Sequence, residues 1–121
     1  GLAMLIGEVV KSIDPQLPIM CLAGSQMITV LESIGLKAMP ESFADRTYEP
    51  DGTLRKRSYS NALINKPQIA SKQAFNIYYN KRIIAHEGSE FSIDSETICI
   101  HSDTENALRI AKAVKQKLIR S

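Results

Sequence analysis

Two short polar groups in the sequence have side chains suited to acid–base chemistry and to anion binding. The first group is Glu41, Asp45 and Arg46, and the second is His101 and Asp103. An imidazole transfers protons near neutral pH, and a nearby carboxylate can orient it. A guanidinium presents a planar pair of donors that matches a carboxylate. The residue types therefore indicate proton transfer beside a site that binds a carboxylate.

Each residue has an expected role and a structural alternative. We expect His101 to be catalytic with Asp103 orienting its ring, and Asp45, accompanied by Glu41, to hold Arg46 or to share in proton transfer. In the alternative, Asp45 and Arg46 form an ion pair that fixes a loop, His101 bonds to backbone carbonyls, and Asp103 caps a helix. Both interpretations remain open from the residues alone.

Further candidates lie in the segment that follows Arg46. Tyr48 and Arg57 are candidate substrate-binding residues together with Arg46, although the intervening Asp51-Gly52 pair is explained by a tight turn. From Leu54 to Pro67 the sequence has no periodicity, and long loops of this kind are usually functional. No spacing of His, Cys and acidic residues selects a metal, so we assign no metal ligands.

Apolar periodicity predicts alternating helices and strands. The polar groups follow strands, at the end of a parallel sheet where α/β proteins place their sites. Right-handed crossovers should connect the strands, and the first strand should be buried on both faces. A capping box formed by Ser102 and Glu105 should begin the last helix. The predicted helices cover residues 2–13, 26–34, 69–81 and 103–118, and the predicted strands cover 18–23, 36–43, a hairpin over 83–93, and 97–100.

The composition restricts the class of protein. A chain of 121 residues with 44% hydrophobic residues fits one globular domain over residues 1–121. A net charge of +2 does not indicate a nucleic-acid or anionic-membrane partner. No apolar run or leader pattern indicates a membrane span or a signal peptide, so we expect a soluble cytoplasmic protein. Cys21 and Cys99 lie in separate apolar runs and should be reduced core residues.

Three segments carry a family resemblance. Residues 41–54, which read ESFADRTYEPDGTL, together with Arg57, closely resemble the signature of the LamB/YcsF family, known as the A subunit of 5-oxoprolinase. Residues 98–104, ICIHSDT, are similar to that family's Cys-Val-His-Gly-Asp-Thr segment, and residues 22–25, LAGS, form a weaker match in the expected order. The chain is therefore identified as a member of this family from about Leu17 to its end.

The resemblance implies ATP-dependent opening of the lactam ring of 5-oxoproline to give glutamate, in a complex with two other subunits. The implied fold is a distorted parallel β/α barrel, TIM-like and akin to the metal-using carbohydrate deacetylases, of which this chain would supply about three βα units. Family members are about twice as long, with further Asp and His residues in an N-terminal half. We therefore expect the C-terminal half of such a barrel, inactive alone, and unpaired strand edges that favour self-association.

Two functional alternatives of other classes remain. A half-barrel could serve as an inactive binding or assembly module, or the chain could belong to a metal-dependent, deacetylase-like hydrolase of carbohydrates or amides. The location of an ATP site and the need for a divalent metal stay open. The chain also departs from the family pattern at Ser60-Asn61, where Pro-Gly is usual, and at Ser102, where Gly is usual. Asn tolerates the left-handed conformation that Gly would adopt, so we expect the first change to be mild, whereas the Ser102 hydroxyl adds bulk beside the proposed site and bears on the choice of substrate.

Overall fold

A computed structural model describes residues 1–119 as four helices and five strands. The helices are α1 (Leu2–Ile13), α2 (Gln26–Ser33), α3 (Pro67–Phe75), which continues as a π-helical turn over Asn76–Asn80, and α4 (Ala107–Ile119). The strands are β1 (Ile19–Leu22), β2 (Ala38–Phe43), β3 (Arg82–Ile84), β4 (Glu90–Ser92) and β5 (Thr97–Cys99). Most predicted elements are confirmed, including the hairpin and the stop at Gly35, where φ is +85°.

The central sheet is parallel and has the strand order β1-β2-β5. Leu22 is in register with Glu41, and Phe43 is in register with Cys99. β3 and β4 form a separate antiparallel hairpin. The predicted α/β class with a parallel sheet is thus confirmed, while closure into a distorted barrel stays a prediction.

The expectation that β1 is buried on both faces is wrong for the described residues. Within residues 1–119, β1 pairs with β2 alone, and its Met20 side chain is 58% exposed. The residue beside it, Cys21, is buried against α2. A short apolar run occurs in strands that are covered on one face as well as in strands that are covered on both. The run therefore did not show how many faces of β1 are covered.

Helices cover one face of the sheet and leave the opposite face more open. Buried side chains of β1 and β2 pack against α2, whereas Ala44 and Ile98 pack against α3 and α4. The alternate residues, which include Glu41 and Phe43, are only partly buried. Successive side chains of a strand point to opposite faces, so Glu41 and Phe43 share the more open face.

The last helix begins later than predicted. α4 starts at Ala107, after bends and turns over residues 102–106, and Asn106 takes a left-handed conformation with φ of 65°. Ser102 and Asp103 therefore do not cap α4, and the predicted capping box is wrong. The turns that lead from the sheet to α4 occupy the residues that the pattern assigned to its first turn. No helix among residues 1–119 is long and apolar enough to cross a membrane.

Candidate functional site

The carboxylate of Asp45 and the imidazole of His101 form the centre of the site. Nδ1 of His101 lies 2.9 Å from Oδ1 and 3.1 Å from Oδ2 of Asp45. The backbone N–H of His101 also donates to Oδ2, at 2.7 Å. Asp45 is fully buried, and an ionised carboxylate can only accept hydrogen bonds. The geometry therefore favours a proton on Nδ1 and leaves Nε2 with its lone pair.

Neighbouring strands bring these two residues together. Asp45 follows β2 and His101 follows β5, at the carboxyl ends of adjacent parallel strands. The pairing continues past the strand ends, because the N–H of Ala44 donates to the carbonyl of Cys99. On the other side of the segment, the N–H of Ile64 donates to the carbonyl of Asp45 at 2.8 Å. The backbone on both sides of the Asp45 carboxylate is therefore held by hydrogen bonds.

Phe43 packs against the imidazole. Its ring stacks on that of His101 with a centroid distance of 5.4 Å and an interplanar angle of 10°. The His101 side chain remains 23% exposed, and its Nε2 makes no hydrogen bond to any residue from 1 to 119. One nitrogen is therefore held by a carboxylate while the other is available to a substrate or a water molecule.

Asp103 does not have its predicted role of orienting His101. Its side chain is exposed and makes no hydrogen bond or ion pair within the described part of the chain. The orienting carboxylate is that of Asp45. Asp103 was predicted as the orienting carboxylate because it is close to His101 in sequence. The pairing of β2 with β5 instead brings Asp45 to the His101 ring.

Arg46 is a buried cation that lacks an ion-pair partner among residues 1–119. The side chain is 8% exposed, Nη2 donates to the carbonyl of Arg55 at 2.7 Å, and the buried Nε has no hydrogen-bond partner. Burial lowers the pKa of Arg46, and the nearby charge of Arg57 lowers it further, while the charge of Asp45 opposes both. Of the two roles expected for Asp45, holding Arg46 is not seen as a direct contact, because the Asp45 carboxylate bonds to His101 and only its charge acts on Arg46.

Tyr48 does not reach the site surface as a substrate-binding residue would. It is fully buried, and its hydroxyl accepts a hydrogen bond from the N–H of Phe43 at 3.0 Å. Burial is the main cause that raises the pKa of Tyr48 to about 12. Tyr48 therefore supports the end of β2 from within the core, and its predicted substrate contact is wrong. Arg57 is exposed, and its charge reaches Arg46.

Glu41 is half-buried within β2, on the face that carries Phe43. Its charge adds to burial in raising the pKa of the Cys99 thiol, as does that of Asp45. Burial likewise raises the pKa of Cys21. Both thiols are free, as predicted, and their raised pKa values make them poor nucleophiles. Glu41 thus lies on the more open side of the sheet, close enough to Cys99 for its charge to act on the thiol.

A second polar cluster was not predicted from the sequence. Nη1 of Arg55 lies 2.8 Å from Oε1 of Glu49, and Nε2 of His86 lies 3.1 Å from Oε2 of Glu49 and 3.1 Å from Nη1 of Arg55. Arg55 also donates to Asn61 and lies over the ring of Tyr59. This cluster ties the 49–61 loop to the β3–β4 hairpin. The basic run at residues 55–57 was the only signal, since His86 is 31 residues beyond Arg55.

No group of three or more His, Cys, Asp or Glu side chains within residues 1–119 could hold a metal ion. A cavity of about 810 Å³ lies beside the Gly24-Ser25 turn, and its lining does not include His101. Its lining includes Lys81 and Arg82 but also Asp51 and Asp94, so its charge does not select a polyphosphate.

Comparison with known proteins gives consistent matches along the chain. A model of the LamB/YcsF family matches residues 1–121. The protein named as the A subunit of 5-oxoprolinase from Halalkalibacterium halodurans is 39% identical over 117 residues, which cover 97% of this chain and 46% of the relative. Its namesake from Tolumonas auensis is 41% identical over 121 residues, or 100% of this chain and 48% of the relative.

A solved structure agrees with these matches. The crystal structure of a lactam utilization protein from Thermus thermophilus superimposes with a TM-score of 0.88 and 31% sequence identity. The superposition covers 98% of this chain and 47% of that protein. The chain therefore spans about half the length of the relatives that it matches.

Proposed function

This chain belongs to the LamB/YcsF family, and from that premise we propose that it contributes catalytic and binding groups to an ATP-dependent 5-oxoprolinase. The reaction would hydrolyse the lactam amide of 5-oxoproline to give glutamate. The names of the relatives, which refer to 5-oxoprolinase and to lactam utilization, support this role. The observation that carries the proposal is the buried Asp45–His101 pair, followed directly in the chain by Arg46, whose buried guanidinium has no anionic partner among residues 1–119.

His101 is the proton-transfer group in this proposal. Asp45 holds the proton on Nδ1, so Nε2 can remove a proton from the water that attacks the lactam carbonyl. The water oxygen bonds to the carbonyl carbon, the ring C–N bond breaks, and the ring nitrogen takes the proton back from Nε2. The products are the new carboxylate and the free amine of glutamate. Asp45 stabilises the imidazolium that exists between the two transfers.

Arg46 is the proposed ligand for the substrate's existing carboxylate. A buried guanidinium without an ionised partner is costly, and a bidentate carboxylate supplies the missing charge and acceptors. Arg57, at the surface near Arg46, adds positive charge along the approach. Glu41 lies on the same open face as Phe43 and is the remaining candidate for assisting proton transfer.

ATP, when bound, would supply the activation that opening of the amide requires. The described residues do not single out a phosphate site, so the steps assigned to His101, Asp45 and Arg46 involve the lactam and water alone. Two further subunits remain proposed partners, and the chain by itself is expected to be inactive. Dependence on a divalent metal would require ligands beyond those that residues 1–119 bring together.

A second candidate function is a binding or assembly module. The exposed Met20 edge of β1 and the apolar face of α1 favour it, since Leu2, Val9 and Ile13 of that helix are 53 to 77% exposed. Such surfaces promote association between chains. This role requires no contribution from His101 or Arg46.

One experiment separates the two functions. The intact polypeptide that carries this chain is assembled with the two other subunits, and glutamate formation from 5-oxoproline is measured together with ATP hydrolysis. We expect activity that His101→Gln lowers by about 10²-fold or more, while assembly, followed by size-exclusion chromatography, is unchanged. Equal activity in the wild type and in His101→Gln would contradict the catalytic proposal and support the assembly module.

A further inference from the structure

We propose that Gln73 is a positioning residue for the Asp45–His101 pair. Its amide, on helix α3, ties the two ends of the 43–46 segment and thereby fixes the carboxylate that orients the imidazole. The effect on the imidazole follows from the geometry alone. Only its consequence for lactam hydrolysis rests on the proposed function.

The Gln73 amide spans the segment that carries Asp45. Nε2 of Gln73 lies 2.8 Å from the carbonyl oxygen of Phe43 and 2.8 Å from that of Arg46. A primary amide has two N–H groups, so both are used by this pair of carbonyls. Ala44 and Asp45 lie between the two attachment points. The Gln73 side chain thus holds the backbone on both sides of Asp45 and thereby sets the position from which Asp45 contacts His101.

The segment needs such a donor because it leaves the sheet. Phe43 is the last residue of β2, and the next residues form a bend. Other hydrogen bonds hold different backbone groups of this segment, since Ile64 donates to the carbonyl of Asp45 and the Tyr48 hydroxyl accepts from the N–H of Phe43. The carbonyls of Phe43 and Arg46 depend on Gln73. Buried carbonyls that lose their donors cost free energy, so the segment would move to regain partners.

The packing of α3 places the amide at the required depth. Ala70 and Ala74, one on each side of Gln73 in sequence, are fully buried, and their small side chains pack in the core with Ala44. The helix therefore lies close to the segment that its glutamine binds. Replacement by Asn would retain the amide but shorten the side chain by one methylene, and Glu or Met would retain the length but lack the donors.

Movement of the segment acts directly on the proton of His101. Asp45 contacts both the backbone N–H and Nδ1 of His101, at 2.7 and 2.9 Å. A hydrogen bond weakens steeply when its length increases beyond such distances or when its angle becomes less linear. A displaced Asp45 would no longer favour the tautomer with the proton on Nδ1, and Nε2 would cease to be the free base. A positioning role therefore predicts a change in tautomer, which a change in stability alone would not produce.

The test uses nitrogen-15 NMR of labelled histidine in this chain, whose 121 residues include two histidines, His86 and His101. We expect the neutral His101 of the wild type to carry its proton on Nδ1. In Gln73→Met the population should shift toward the Nε2–H tautomer, while the His86 signals stay in place. Gln68→Met provides the matched control, because Gln68 lies on the same helix with an exposed side chain, and it should leave both histidines unchanged.

A second variant keeps the test decisive. If Gln73→Met does not fold, Gln73→Asn is measured instead, and it should show the same shift in tautomer. An unchanged His101 tautomer in a folded Gln73 variant would overturn the positioning role. In the assembled enzyme, Gln73→Met should lower kcat roughly 10- to 100-fold with a smaller change in KM. A shifted tautomer with unchanged kcat would support the role of Gln73 and contradict the proposed function of His101.

Discussion

The Asp45 carboxylate lies 2.9 Å from Nδ1 of His101, although the two residues are 56 positions apart in the chain. The contact also includes the backbone N–H of His101, so one buried carboxylate fixes both the ring and the main chain of its partner. This double attachment gives the imidazole one protonation site that is held and one that is free. Substitutions of these two residues and of their neighbours should therefore have distinguishable effects.

Replacing His101 with Gln in the assembled enzyme should lower kcat by about 10² to 10⁴-fold, the usual contribution of a positioned acid or base. Asp45→Asn should cause a loss of similar order, because the amide cannot stabilise the imidazolium as the carboxylate does. The measurement is steady-state glutamate formation from 5-oxoproline. Asp103→Asn is the matched control and should retain near-normal kcat, since its side chain is exposed. A large loss in Asp103→Asn with normal kcat in Asp45→Asn would reverse this assignment.

Replacing Arg46 with Lys should raise KM for 5-oxoproline more than it lowers kcat. Lys retains the charge but lacks the planar pair of donors, and a buried ammonium leaves the carboxylate less well bound. Arg57→Gln is the control that removes a charge at the surface, and its effect on KM should be smaller than that of Arg46→Lys and should diminish at high salt. Substrate titrations at two ionic strengths test both variants. Equal KM values in Arg46→Lys and the wild type would exclude a role in binding the carboxylate.

Tyr48 should make stability depend on pH in the alkaline range. Burial raises its pKa from an ordinary value of 10.0 to about 12 in the folded chain. Above pH 10 the unfolded chain loses this proton while the folded chain keeps it, so the stability from neutral Tyr48 is present below pH 10. This contribution is lost as the pH rises through about 12, and the free energy of unfolding should fall by about 2 to 3 kcal/mol.

Denaturant unfolding between pH 8 and pH 12 tests this dependence by comparison with Tyr48→Phe. The variant should be less stable at pH 8 by about 1 to 3 kcal/mol, because the N–H of Phe43 loses its acceptor. The difference between the two proteins should then narrow above pH 10. A constant difference across the whole range would show that Tyr48 ionises equally well in the folded and unfolded chains.

The chain should self-associate through the open edge of β1. In the described residues that strand has one neighbour, and an unpaired edge binds other strands through its backbone groups. Met20→Lys should reduce association by placing a charge on the edge strand. Leu108→Lys, at a 67% exposed position on α4, is the control and should leave association unchanged. Sedimentation velocity over a range of concentrations gives the measurement, and a wild-type chain that is monomeric throughout would contradict the prediction.

The sequence by itself was sufficient for the elements whose causes are local. Apolar spacing predicted α1 to its last residue, Gly35 marked the end of α2, and the Asp51-Gly52 pair marked a turn. These features depend on side chains and backbone angles within a few residues. The signature around Asp45 and the segment around His101 likewise identified the family that the comparisons show.

Tertiary structure decided which candidate residues work together. His101 pairs with Asp45 rather than with its neighbour Asp103, Tyr48 is a core residue, and Gln73 enters the site from a helix that no motif connected with it. The register between β2 and β5 and the packing of α3 on the sheet create these contacts. Residue types and local spacing do not determine which strands become neighbours. Long-range pairing is a property of the whole buried core, and the geometry of the site follows from it.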